Sequence, residues 1–222
     1  MKKMFKSKKV LPAVLMSFVV FLACFSGILG EQAKASKAPT QHIQLNTLYV
    51  DLPYSSDKYD IQRSENAKEV EINVTEKESG NVVYTVGELK ESKTIKPQDI
   101  TTNGYETRTV YQDYKDGFVT ARLYSVMSVY SSGSFGEISN VLETYWAPVS
   151  DGSWSLENTH ANTISTTGKF PTQRVQITGT AVVDTVETQS GGVSLAVLGY
   201  NLGVNNHMRK AISQGFTFSY GR

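Results

Sequence analysis

Histidines and acids are the first residues to inspect for chemistry, and the 222-residue chain has three histidines, His42, His160 and His207. None stands in an H-x-x-x-H or H-E-x-x-H frame, the spacing that sets two imidazoles on one helix face around zinc. A nucleophilic serine on a strand-to-helix elbow needs G-x-S-x-G. Here "SGSFG" puts Ser134 directly after Gly133, and "GGVSL" lacks the closing glycine. His160, in "ENTHANT", shares its parity with Trp154, Leu156 and Asn158 and reads as a polar position at a strand edge. Asp51, Asp57 and Asp60 lie close together but not in the D-x-D-x-D-G spacing of a calcium loop, so a solvated acidic loop is expected there. No G-x-x-x-x-G-K and no G-x-G-x-x-G occurs to cradle phosphate. The expectation is therefore no catalytic residue, no metal ligand set and no cofactor. An enzyme built on a carboxylate pair is the reading that only a fold can address.

Binding chemistry is better represented. Tyr145, Trp146 and Trp154 flank a P-x-x-D-G turn and form the candidate binding surface, since planar rings stack on sugars or bury against a protein partner. Core or rim packing is the competing use of the same rings. In "FVTARLYSVMSVYSS", Val119, Ala121, Leu123, Met127 and Val129 fall on one face. The other face carries Thr120, Arg122, Tyr124, Ser128 and Tyr130, a mixture of rings and polar groups that matches neither a dry core nor a plain solvated surface.

The elements that must position these residues are strands. Val70, Ile72 and Val74 alternate with polar residues, Ser79-Gly80-Asn81 turns the chain, and Val82 to Val86 returns as a hairpin. "YETRTVYQDY" and "FVTARLYSVMSVYSS" form a second hairpin about Asp116-Gly117. "SWSLENTHANTIST", "RVQITGTAVVDTVETQ", "VSLAVLGYNLGV" and "GFTFSYGR" follow as further strands. Residues 137–147 fit helical and strand spacing, and their β-branched and aromatic content favours a strand. "NNHMRKAISQ" is expected as one helical turn or a loop. Short strands at regular spacing with no sustained helical period predict an all-β fold, an antiparallel β-sandwich or barrel-like domain. The domain is expected over residues 67–222, with a possible subdomain boundary near 91–104 and a polar, partly ordered arm with one short strand at 36–66.

The first residues carry Lys2, Lys3, Lys6, Lys8 and Lys9 ahead of an apolar stretch from Val10 to about Gly30, the order of charges and apolar residues in an export signal. Ala33-Lys34-Ala35 offers the small residues that a signal peptidase requires, so the cut is expected between Ala35 and Ser36, with residues 1–35 as signal peptide. The leader is similar to the long export signals of Gram-positive bacteria. Lipidation of Cys24 and an uncleaved membrane anchor are the alternatives. Leu22 stands where a lipobox places a small residue, and Pro12, Gly27 and Gly30 interrupt the apolar run.

Cys24 is the one cysteine, so the expected mature chain has no disulfide, thiol catalyst or cysteine-bound zinc and must be held by its own core. Processing removes six lysines and Glu31, taking Lys+Arg from 22 to 16 and Asp+Glu from 21 to 20, for a mature net charge of −4. That balance disfavours nucleic acid and anionic lipid as partners. The expected function is that of a secreted, non-enzymatic β-rich protein acting by surface binding to a protein or glycan at the cell envelope or in a matrix. The alternative is a secreted pore-forming or antimicrobial protein that inserts a hairpin spanning Thr178 to Leu202 into a target membrane.

Overall fold

The computed structural model describes residues 40–90, 104–186, 199–202 and 207–221. Twelve strands run in chain order: β1 (Gln41–Gln44), β2 (Tyr49–Leu52), β3 (Tyr59–Glu65), β4 (Glu69–Glu76), β5 (Val82–Leu89), β6 (Tyr105–Asp116), β7 (Val119–Ser132), β8 (Phe135–Pro148), β9 (Trp154–Ser165), β10 (Arg174–Val186), β11 (Asn201–Leu202) and β12 (His207–Ser219). No helix occurs among the described residues. The fold is all-β, with every named pairing antiparallel. One sheet is ordered β1-β2-β12-β10-β9, with the short β11 against β12, and the other is the meander β3-β4-β5-β6-β7-β8.

The two sheets pack their apolar faces together in a sandwich-like arrangement. Alternation selects those faces: Val70, Ile72 and Val74 of β4 and Ala121, Leu123, Met127 and Val129 of β7 meet Val175, Ile177 and Val183 of β10 and Phe216 and Phe218 of β12 in one buried cluster. Turns fall where the glycines allow positive φ, as at Gly80 (φ 70°) between β4 and β5 and Gly117 (φ 57°) between β6 and β7.

Two cross-sheet contacts set how closely the layers approach. Trp146 of β8 reaches so near β10 that a Cβ on Gly179 would lie 2.6 Å from the indole Nε1, a spacing that only glycine tolerates. Glu88 of β5 is fully buried, and its Oε2 accepts hydrogen bonds from the backbone N–H groups of Asn46 (3.0 Å), Thr47 (2.8 Å) and Leu48 (3.0 Å). The β1–β2 turn is thereby fastened to the opposite sheet.

Two segments differ from their sequence expectation. The stretch expected as an arm with one short strand carries β1, β2 and β3, and Leu45, Leu48, Val50 and Leu52 from it are buried. Short strands of four residues hold too little pattern for alternation to show. "NNHMRKAISQ" holds the start of β12 rather than a helical turn or loop, because Met208 and Ile212 point inward on the strand period. The period is masked by Lys210 and Gln214, polar residues on inward positions that are met by Asp116 (2.5 Å) and Gln112 (2.5 Å) of the other sheet. Residues 137–147 lie within β8, interrupted by two register shifts, and those shifts produce the helix-like spacing. The expected boundary near 91–104 falls almost wholly outside the described residues, and β5 and β6 on its two flanks pair with each other from Thr85↔Asp113 to Leu89↔Thr109.

Candidate functional site

Strand register puts an unusual set of residues on the outward face of the β3–β8 sheet. Gly87↔Tyr111, Tyr111↔Tyr124 and Tyr124↔Tyr145 are cross-strand partners, so three tyrosines from β6, β7 and β8 stand in a row across the sheet. Ring centroids are 6.0 Å apart for Tyr111–Tyr124 and 5.0 Å for the stacked pair Tyr124–Tyr145. Tyr111 lies down over Gly87, where a Cβ would meet its ring at 2.4 Å, and it is fully buried although it sits on the outward side.

Charged groups lock this row in place. Arg122 of β7 lies over Tyr111, with its guanidinium carbon 3.5 Å from the ring centroid, and binds Asp113 through Nε (2.5 Å) and Nη2 (3.0 Å). The Tyr111 hydroxyl donates toward Glu69 (2.8 Å) and Glu71 (3.1 Å) of β4. Burial pushes that hydroxyl far above the usual tyrosine range, against the pull of Arg122, and the neighbouring carboxylates add to the rise. The chain of contacts continues from Glu71 to Asn73 (2.7 Å), Thr85 (2.7 Å) and Lys115 (3.0 Å). A polar network thus spans four strands and holds the inner ring of the row rigid.

A second aromatic row crosses the same face further along the strands. Tyr105 and Tyr130 are cross-strand partners with centroids 4.9 Å apart, and Phe135 follows Tyr130 at 6.3 Å. Tyr105 and Phe135 are 42 % and 49 % exposed. Six residues separate the rows on both β6 and β7, which at ~3.4 Å per residue places them about 20 Å apart. Thr107, Thr109, Val126, Ser128, Asn140 and Glu143 occupy the face between them.

Of the candidate surface Tyr145, Trp146 and Trp154, the structure assigns Tyr145 to this face. Trp146, its neighbour on β8, points the opposite way, is 8 % exposed and donates its indole N–H to the His160 carbonyl at 3.3 Å. Trp154 packs against the core at the start of β9, in the other sheet. The three rings therefore do not share one surface. The missed members, Tyr111 and Asp113, lie in "YETRTVYQDY", where alternation alone marks neither face as buried. The mixed face of β7 was the legible signal. Ala33, Ala35 and Ser36 lie outside the described residues, as do residues 187–198 of the Thr178–Leu202 segment.

The outward face of the other sheet carries all three histidines. His42 pairs with Asp51 (2.7 Å), which also binds Arg174. His207 pairs with Asp184 (2.5 Å), which binds Arg209 at 2.6 Å. The hydrogen bond from His207, and then that from Arg209, holds the Asp184 carboxyl below the usual range against the opposing effect of burial. His160 lines an open depression of about 610 Å³ with Asn162, Thr178, Thr180, Ser213 and Gly215. No serine or threonine hydroxyl is hydrogen-bonded to a histidine among the described residues. Asp51, Asp57 and Asp60 engage different partners, namely His42, Ser55 and Lys77. Among the described residues no group of acids and histidines could hold a metal ion. Glu69 and Glu71 stand side by side on one strand and are joined through one tyrosine hydroxyl, not set across a cleft from each other.

Comparison with known protein families, with characterised proteins and with solved structures finds no match.

Proposed function

We propose that the chain is an exported binding protein, not an enzyme, that works at the cell envelope or in a surrounding matrix through the outward face of β4–β8. One observation carries this reading. Tyr111, the inner ring of the Tyr111–Tyr124–Tyr145 row, is locked by Arg122 over its face and by Glu69 and Glu71 at its hydroxyl, with Asp113 holding Arg122, on the side of the sheet that faces away from the core. Solvated sheet faces need no such bracing, whereas a recognition surface gains affinity when its aromatic anchors are ordered before the ligand arrives. The lysine-rich leader supports export, and the expected mature charge of −4 supports a partner other than nucleic acid.

A membrane-inserting hairpin from Thr178 to Leu202 has less support. β10 is hydrogen-bonded along most of its length to β9 on one side and β12 on the other, so its withdrawal would break two ladders.

The test is co-sedimentation of residues 36–222 with the insoluble envelope fraction of the producing cells. Wild type and an Asn162→Ala control on the opposite sheet are expected to pellet, and Tyr124→Ala/Tyr145→Ala to remain soluble. Equal pelleting of all three, or none at all, overturns the proposal. Release of dye from liposomes by the wild type would favour the pore-forming alternative instead.

A further inference from the structure

We propose that the ligand of this face is an uncharged glycan chain, laid along the strands of β6–β8 so that it touches both aromatic rows. The inference rests on the binding role proposed above and names the ligand class. Any ligand that reaches both rows must run with the strands and be extended over about 20 Å, the distance set by six residues of strand. Each row offers rings to such a chain: Tyr124 and Tyr145 at one end, Tyr105, Tyr130 and Phe135 at the other. Aromatic faces carry negative charge density that attracts the weakly positive C–H faces of pyranose rings.

The strip between the rows suits hydroxyl groups. Thr107, Ser128 and Asn140 present hydroxyls and an amide that both donate and accept. Val126 within the strip is 4 % exposed, and the exposed apolar surface nearby is the single side chain of Leu142 at the β8 bulge, 50 % exposed, less than the apolar centre on which a protein interface is built. The hydroxyls of Tyr105, Tyr124, Tyr130 and Tyr145 have no hydrogen-bond partner among the described residues and are available to a polyol.

Charge narrows the class further. The two cations on this face among the described residues, Arg122 and Lys115, are both drawn to Asp113, at 2.5 Å and 3.9 Å. Glu137 and Glu143 flank the rows on β8 as cross-strand partners of Tyr130 and Val126. An anionic polymer would meet these carboxylates with no cation to receive it, which leaves a neutral chain as the complementary ligand.

The experiment uses the same insoluble envelope fraction, treated with periodate to cleave vicinal diols, or with proteinase K, before protein is added. Wild-type binding is expected to fall at least about tenfold after periodate and to survive proteinase. Tyr105→Ala/Tyr130→Ala is expected to weaken binding to untreated envelope by a similar factor, since one row alone holds half the ligand. Tyr124→Phe/Tyr145→Phe keeps the stacking surface and retains binding within about threefold, which separates loss of contact from loss of fold. Raising NaCl tenfold is expected to change the affinity by less than about twofold. Tyr124-dependent binding that survives periodate and is lost with proteinase, or that collapses with salt, overturns the glycan assignment while leaving the binding face intact. Binding indifferent to Tyr124→Ala/Tyr145→Ala overturns the binding face itself.

Discussion

The guanidinium of Arg122 lies 3.5 Å from the centre of the Tyr111 ring while its nitrogens grip Asp113, so one cation satisfies an aromatic face and a carboxylate on the adjacent strand. Asp113 and Arg122 have side chains 3 % and 12 % exposed, which makes the pair a nearly buried one. Removing one member leaves an uncompensated charge at a sheet surface. Arg122→Ala is expected to cost about 3 kcal/mol in urea unfolding, and Arg122→Lys to recover little of it, because an ammonium cannot span both carboxylate oxygens while lying flat on a ring. A full rescue by lysine would contradict this account.

Gly179→Ala and Gly215→Ala should move stability in opposite directions. A methyl group at 179 would stand 2.6 Å from Trp146 Nε1 and 2.9 Å from Leu123 Cδ1, in a packed interior, and is expected to cost about 1–3 kcal/mol. At Gly215 the nearest atoms are 3.6 Å and 3.7 Å away, so alanine fits and is expected to add about 0.4–1 kcal/mol by restricting the unfolded chain. Thermal melts of the two variants check the pair of signs.

Glu88 gives a pH dependence opposite to that of ordinary acid unfolding. Burial raises its pKa, opposed by the three N–H groups of the β1–β2 turn and by Arg108. A carboxyl whose pKa is higher in the folded state contributes stability that is complete below about pH 4 and is lost as the pH rises through the folded value. The stability difference between wild type and Glu88→Gln is thus expected to shift against the wild type as pH climbs from 4. Glu88→Ala, which leaves three N–H donors without an acceptor, is expected to cost about 3 kcal/mol at either end of that range.

Asp184 behaves in the opposite sense. His207 and then Arg209 lower its pKa, so its contribution is complete above the unfolded carboxyl value near pH 3.9 and is lost as pH falls through the folded value. Wild type should melt above Asp184→Asn at pH 7, and the two curves should converge in acid. A gap that widens on acidification would be inconsistent with the pairing.

The sequence carried the fold class because period-two alternation is strong in long strands such as β4, β7 and β10, where inward valines and leucines face outward polar residues. It could not carry strand order, since β12, near the end of the chain, pairs with β2, near the start of the described residues. The site was half legible. Alternation exposed the mixed face of β7, and the aromatic residues about the P-x-x-D-G turn drew attention to Tyr145, but adjacency in sequence paired Tyr145 with Trp146, which the pleat sends into the core. Tyr111 and Asp113 became part of the site through register alone, because Tyr111↔Tyr124 and Asp113↔Arg122 are contacts between strands. The hold of Glu88 on the β1–β2 turn was likewise hidden, since its partners are backbone N–H groups some 40 residues away.

The most direct test of a binding face on β6–β8 is hydroxyl-radical footprinting of residues 36–222 with and without the envelope fraction, read by mass spectrometry at individual side chains. Tyr105, Tyr124, Tyr130 and Tyr145 are expected to be protected together when envelope is present, while Tyr49 and His160 on the opposite sheet keep their free reactivity. Protection of His160 with no change at Tyr124 and Tyr145 would place the contact on the other face and contradict the account.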